Sequence, residues 1–406
     1  MIFADAAEMG FDPDRLARID DFLATRYVEP GLYAGTQVLV AREGKVVHLG
    51  SQGAARADGR PMQDDALFRI ASMTKPVTSV AFMMLLEEGR VTLDQPVESV
   101  IPEWKSLGVY NGGGAGVPFL TKPPERPMQM IDLLRHTSGL TYSFQHRTNV
   151  DAAYRERKIE AWHGPLDLDG FVAALAEIPL EFSPGSAWNY SVSTDVLGLV
   201  VQRVSGMSLD RFFEEKIFAP LGMKDTAFTV PADKADRLTD CFALDPKKGR
   251  VLYDPAEGSA WSKTPNLLAG GAGLVSTIAD YHRFTNMLLN GGVLDGARIL
   301  GRKTIELMTA NHLPDGQDLT QMSRSLFSEA VNAGQGFGLG FAVNLDPART
   351  LLPGSKGEYY WGGMFSTAFF VDPVEKITMV FLTQLMPSSA YPVRRQLKTL
   401  IYAALT

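Results

Sequence analysis

The sequence predicts an α+β protein: one antiparallel sheet assembled from hairpins at the two ends of the chain and flanked by helices, with a mainly helical unit between them. Three observations carry this expectation. Apolar and polar residues alternate from Thr36 to Gly50 about the Arg42-Glu43-Gly44 turn, the period of a hairpin. Near the other end, Phe365 to Val371 and Ile377 to Leu382 are strand-like runs joined by Asp372-Pro373-Val374-Glu375-Lys376. Between them, from about Phe68 to Met223, the pattern turns helical. Each hairpin alone leaves an edge and a face uncovered, and pairing the two in one sheet is the economical remedy. The expected division is therefore a discontinuous sheet domain, 1–67 with 270–406, and a helical domain, 68–269, with the functional cleft between them.

The elements follow in order. A first helix is expected around Pro13 to Thr25, and a second runs from Ser72 to Glu88 and stops at Gly89. Another can start at Ser193. Ser208 can cap a helix whose Leu209, Phe212, Phe213 and Ile217 recur at helical spacing, and Thr277-Ile278-Ala279-Asp280 fits a capping box. Val393 to Leu405 reads as the closing helix. The Gly- and Pro-rich stretch from Lys105 to Met128 reads as an irregular insertion or lid that shapes the substrate pocket.

Composition removes several function classes. In 406 residues the formal net charge is -7, with acids and bases interspersed, so no basic face for a nucleic acid is expected. The longest nearly uncharged segment, Val192 to Val201, is far shorter than the roughly 20 apolar residues of a membrane span. The first residues, Met1-Ile2-Phe3-Ala4-Asp5, lack a basic region followed by an apolar one, which makes the cytoplasm the expected address. The single cysteine, Cys241, offers neither a disulfide nor a zinc site. No cofactor is expected, because no G-x-G-x-x-G follows a strand, and Gly270-Gly271-Ala272-Gly273 without a following Lys reads as close packing.

The sharpest chemical feature is Ser72-Met73-Thr74-Lys75. Residues three apart on a helix share a face, so the Ser72 hydroxyl and the Lys75 amine can meet. Pro76 is tolerated only if the helix begins near Ser72. A lone S-x-x-K is more often an N-cap beside a solvated lysine. Here the helix continues as Val77, Val80, Ala81, Phe82, Met83, Met84, Leu85 and Leu86, apolar nearly all round, so Lys75 is expected in a poorly solvated place where it can accept the serine proton. Two further segments complete the pattern. Ser183-Pro184-Gly185-Ser186-Ala187-Trp188-Asn189-Tyr190-Ser191 brings a phenol to a turn before a helix, and Trp361-Gly362-Gly363-Met364 allows close backbone approach on the strand side.

The set Ser72-x-x-Lys75, Tyr190 and Trp361-x-Gly363 resembles the penicillin-recognising serine hydrolases: class C β-lactamases, DD-peptidases and, most closely, family VIII carboxylesterases. Leu67-Phe68-Arg69-Ile70-Ala71, Leu133-Leu134-Arg135-His136-Thr137-Ser138-Gly139-Leu140 and Pro220-Leu221-Gly222-Met223 support it. The resemblance implies the β-lactamase/DD-peptidase fold, Ser72 as nucleophile, Lys75 and Tyr190 as general base and acid, and the backbone N–H groups of Ser72 and Met364 as the oxyanion hole. Trp361, Gly362, Gly363 and Val192 are the implied substrate-binding positions.

Two departures bear on substrate. The β-lactamase tyrosine motif usually ends in Asn, whereas this chain reads Tyr190-Ser191-Val192, and the lysine that meets a substrate carboxylate is replaced by Trp361. Losing a charged hydrogen-bond partner costs on the order of 1.5 to 3 kcal/mol, which uncharged esters are spared. The expected function is thus a carboxylesterase for small or short-chain esters, with the Trp361 indole at the cleft rim and only weak β-lactam hydrolysis. The alternatives are a β-lactamase or DD-peptidase, an acyltransferase using the same acyl-enzyme, and a penicillin-sensor-like binding module. No serine sits in a G-x-S-x-G elbow, and the histidines show no H-x-x-x-H pairing; His136 reads as a packed residue.

Overall fold

The computed structural model describes residues 1–160, 163–324 and 333–406. Its centre is a seven-stranded antiparallel sheet in the spatial order Gln335–Phe337, Ala342–Asn344, Tyr359–Gly362, Ala368–Asp372, Ile377–Leu382, Gly35–Arg42, Lys45–Gly53. The two sequence hairpins meet where Val38 faces Phe381 and Val40 faces Met379, so the ends of the chain close one sheet. Because strand side chains alternate, Val38 and Val40 point to one layer while Leu39 and Ala41 point to the other. The first layer contains helices Pro13–Leu23 and Val393–Ala403, through Leu16, Ile19, Leu397 and Ile401. On the second face, Ile278–Leu289 and the helical middle of the chain share the larger core.

The helix Thr74–Glu87 is buried along most of its length and ends before Gly89, whose φ of +70° suits a residue without a Cβ. It packs against Ser193–Ser205, so two mostly apolar helices form the spine of the middle segment. Only half of the expected capping box forms at Thr277. Its hydroxyl accepts from Asp280 N–H, while the Asp280 carboxylate turns away to Asp225 N–H (2.7 Å) and the Thr226 hydroxyl (2.9 Å). Ser208 occupies an N-cap position without a side-chain cap bond.

The segment from Lys105 to Met128 departs from the expectation of an irregular lid. Val109–Gly114 and Val117–Lys122 pair as a hairpin, and two register shifts absorb the Gly112-Gly113-Gly114 run. The middle segment is also less purely helical than expected. A second hairpin, Cys241–Asp245 with Gly249–Asp254, pairs in parallel with Leu385–Met386 just beyond the main sheet. That pairing ties the middle of the chain to its C-terminal part beside the site described next. No helix among the described residues is long and apolar enough to cross a membrane.

Candidate active site

Ser72 is presented by a turn that the core holds from several sides. Phe68–Arg69 pairs with Val275–Ser276, and the fully buried Arg69 guanidinium donates to Asp254 (2.8 Å), to the Thr239 carbonyl (2.6 Å) and to the Ser259 hydroxyl (2.9 Å). Ala71 follows in the left-handed region at φ +44°, an uncommon place for a residue with a Cβ. A single 3₁₀ turn, Ala71–Met73, then feeds the helix, and the buried Tyr281 hydroxyl fixes it by donating to Met73 O at 2.9 Å.

Two side chains converge on the Ser72 hydroxyl. Lys75 Nζ donates to Ser72 Oγ at 3.1 Å, and Tyr190 OH donates to the same atom at 2.7 Å. Lys75 and Tyr190 are each only 2% exposed. Lys75 Nζ also donates to the Gly271 carbonyl at 2.7 Å and lies 4.7 Å from the centre of the Tyr190 ring. Tyr190 is held by the tilted rings of Tyr142, His136 and Trp361, with ring centres 5.0 to 5.4 Å away. Its backbone neighbours are pinned to the His136 stretch, Asn189 N–H to His136 O and Val192 N–H to Thr141 O. His136 itself bonds to Ser191 Oγ at 3.2 Å, and burial, assisted by the Lys75 charge, holds its imidazole well below the usual histidine range. It is a neutral packing residue, as the scattered-histidine reading expects.

On the strand side, Tyr359–Gly362 ends directly against the Ser72 turn. Gly363 N–H donates to Thr367 O at 2.9 Å, while Arg394 donates to the carbonyls of both Gly363 and Thr367 at 2.7 Å. A Cβ on Gly363 would run into the Ile70 carbonyl, so the close approach needs glycine. Met364, the next residue, lines a cavity of about 1340 Å³ that also exposes Ser72 and Tyr190. The rest of its wall combines apolar side chains, among them Tyr142, Phe144, Tyr253, Trp261 and Met386, with the charged Arg147, Glu160, Asp254 and Arg324. Residues of the middle segment and of the C-terminal part therefore share one cleft.

Four expected positions lie elsewhere. Trp361 is not at the rim: it is 1% exposed, packed against Tyr190 and Phe337 with ring centres 5.4 and 5.5 Å away, and does not border the Ser72 cavity. Strand alternation sends the Gly362 face the other way, toward the Arg394 guanidinium, and Gly363 serves packing against Ile70. Val192 is fully buried in the core and does not border the Ser72 cavity. Nor does the Lys105–Met128 stretch, which borders a different depression with Trp104 and Leu180. The aromatic rim comes instead from the exposed Phe144 and Tyr253, with the buried Trp261 lining the wall.

Sequence reasoning missed the Gly271 carbonyl and Asp195, whose carboxylate accepts from Gly271 N–H at 2.9 Å. The glycine run does pack closely, since a Cβ on Gly270 would sit 2.7 Å from the Thr194 carbonyl. The available signal was an acid within the otherwise uncharged Val192 to Val201 run.

Comparison with known proteins places the chain among hydrolases of this architecture. The sequence pattern of the beta-lactamase family matches residues 23–403. The chain is 36% identical over 363 residues to Protein Rv1367c of Mycobacterium tuberculosis, covering 88% of each chain. It is 30% identical over 404 residues to Esterase EstB of Burkholderia gladioli, covering 93% of each. Among solved structures it is similar to EstCE1, a hydrolase with promiscuous acyltransferase activity, with a TM-score of 0.78 and 25% identity over 96% of this chain and 99% of that one.

Proposed function

The chain belongs to the beta-lactamase family and is a serine hydrolase of the penicillin-recognising superfamily, and we propose that it is a carboxylesterase working through an acyl-enzyme on Ser72. One observation supports this above all others. The Ser72 hydroxyl lies within hydrogen-bond reach of a buried lysine amine and a buried phenol while facing an open cavity.

In the proposed reaction Ser72 Oγ attacks the ester carbonyl as its proton passes to the Lys75 and Tyr190 pair. The carbonyl oxygen, gaining negative charge, is received by the backbone N–H groups of Ser72 and Met364. The same pair returns the proton to the departing alcohol as the C–O bond breaks. Water then repeats the sequence on the acyl-enzyme and releases the acid. Lys75 and Tyr190 both lie within hydrogen-bond reach of Ser72 Oγ, so both are assigned to the proton transfer as a unit.

The substrate reading is an uncharged ester. Position 361 supplies no cation for a carboxylate, and Val192 supplies no side-chain amide for a β-lactam. The apolar part of the wall favours apolar acyl or alcohol groups, and the cavity volume exceeds what a short-chain ester fills. Short esters are thus the smallest members of the class rather than its limit. Acyl transfer to an alcohol is the second reading, favoured by the same wide cavity and by the description of EstCE1.

The test follows release from p-nitrophenyl butyrate and from a chromogenic cephalosporin, with wild type and Ser72→Ala side by side. Rapid ester release that vanishes in the variant, with slower cephalosporin turnover, is the expected result. Ester release that survives Ser72→Ala refutes the assignment of the nucleophile, and a faster cephalosporin transfers the reading to a β-lactamase. Adding a long-chain alcohol decides the second reading, since a transferase converts the acyl group to a new ester.

A further inference from the structure

Lys75 is steered by more than the serine it faces. Its amine donates to the Gly271 carbonyl, and the N–H of that same residue donates to Asp195 Oδ1, at 2.7 and 2.9 Å respectively. One residue therefore links a buried ammonium site to a buried carboxylate. Asp195 is 5% exposed, and its second oxygen, Oδ2, is buried without a hydrogen-bond partner among the described residues. Leaving a carboxylate oxygen unpaired in the interior is unfavourable, so a protein retains one only where its charge is used or compensated.

The surroundings show how Asp195 is accommodated. It stands third in the helix Ser193–Ser205, where the unpaired N–H groups of the first turn favour negative charge. It cannot swing toward the loop, because space at Gly271 is so tight that even a Cβ there would lie 2.6 Å from Oδ2. The contact between helix and loop is glycine on glycine, with a Cβ on Gly270 only 3.2 Å from Gly198 Cα. The spacing between Asp195, the Gly271 peptide and Lys75 is thus set by backbone packing on both sides.

We propose that Asp195 is a positioning residue for the esterase reaction: it fixes the Gly271 carbonyl that aims Lys75 at Ser72, and its negative charge sets how firmly the Lys75 amine holds its proton. This rests on the reading of Ser72 and Lys75 given above. Among the described residues, the groups facing Lys75 include Asp195 from its helix, His136 and Tyr142 from the preceding loops, and Tyr190, while the Asp195 charge also raises the Glu160 carboxyl. Burial raises the Asp195 carboxyl above the usual carboxylate range, and the Lys75 charge opposes that rise. The two ionised forms support each other, so removing the carboxylate makes the amine easier to deprotonate.

The test is the pH dependence of kcat/KM for p-nitrophenyl butyrate in wild type and Asp195→Asn. The amide still offers an oxygen to Gly271 N–H but carries no charge. A charge one peptide away in a poorly solvated site shifts a titration by on the order of one pH unit, so the acid limb of the variant is expected about one unit lower. A purely structural role would lower the plateau and leave the limb in place, which would overturn the proposal; so would a profile identical to wild type. Should Asp195→Asn fail to fold, the near-isosteric Asp195→Leu carries the same expectation for the limb. Wild type without Ser72-dependent turnover would refute the esterase reading itself, whereas Ser72-dependent turnover with an unmoved limb refutes only the role of Asp195.

Discussion

Substituting alanine at Gly363 tests whether the approach of the strand to the Ser72 turn serves catalysis. A Cβ built there lies closer than 3.0 Å to both the Ile70 carbonyl and Thr367 Oγ1, a separation that real Cβ atoms essentially never show. Ile70 is backbone two residues before Ser72, so it cannot step aside as a flexible side chain can. Restoring ordinary contact requires a displacement of about 1 Å between the strand end and the turn, and misplacement on that scale costs about 10²-fold in rate. Met364 N–H moves with it, and loss of one oxyanion donor alone costs about 10²- to 10³-fold in kcat. Overpacking should also lower stability by about 1 to 3 kcal/mol. The neighbouring Gly362→Ala is the control, because its Cβ would meet the Arg394 guanidinium, at 2.6 Å from Cζ, and a long side chain can yield. Steady-state kinetics on p-nitrophenyl butyrate with thermal melts of both variants give the comparison. The expected outcome is a kcat lower by about 10²-fold or more for Gly363→Ala and by less than tenfold for Gly362→Ala. A folded Gly363→Ala with wild-type kcat would refute the assignment of Met364 to the oxyanion hole.

Two further predictions concern buried groups outside the site. His282 is held down to about 4, first by burial and then by nearby positive charge, so the native imidazole stays neutral while the unfolded one protonates below about 6.5. Its effect is absent above the unfolded value, and stability is lost as the pH falls from about 6.5 toward 4, by up to about 3 kcal/mol. Urea unfolding at pH 7.5 and 4.5 should show a shallower loss in His282→Asn than in wild type, and equal losses would contradict it. Cys241 is buried and its thiol is pushed up to about 12, chiefly by desolvation, so it should react with Ellman's reagent at pH 8 only as fast as the protein opens. Stoichiometric labelling of the native protein within seconds would show that the thiol is accessible.

What was legible in the sequence had short range. Ser72 and Lys75 are three residues apart, on a 3₁₀ turn and the first turn of the helix it feeds, and that continuous helical spacing brings their polar atoms to 3.1 Å. The two hairpins declared themselves by period and turn chemistry, and joining them in one sheet followed from the need to cover their edges. Tyr190 and Met364 could be nominated through family resemblance, although no local rule brings a phenol 118 residues away to 2.7 Å from Ser72 Oγ.

Tertiary structure decided the rest, because direction and depth depend on what packs against an element. Strand pairing, rather than residue type, turned Trp361 inward behind Tyr190 and Gly362 toward Arg394. The hairpin Val109–Lys122 formed where Gly and Pro suggested irregular chain, since register shifts accommodate the glycines. The Gly271 carbonyl entered the site because a backbone oxygen carries no side-chain signature, and Asp195 was hidden in an apolar helix. The sequence by itself thus determined the fold class and the pairing of Ser72 with its lysine, through periodicity and helical spacing. The shape of the pocket, its aromatic rim and the support behind Lys75 were decided only by long-range packing, which sets where each surface finally faces.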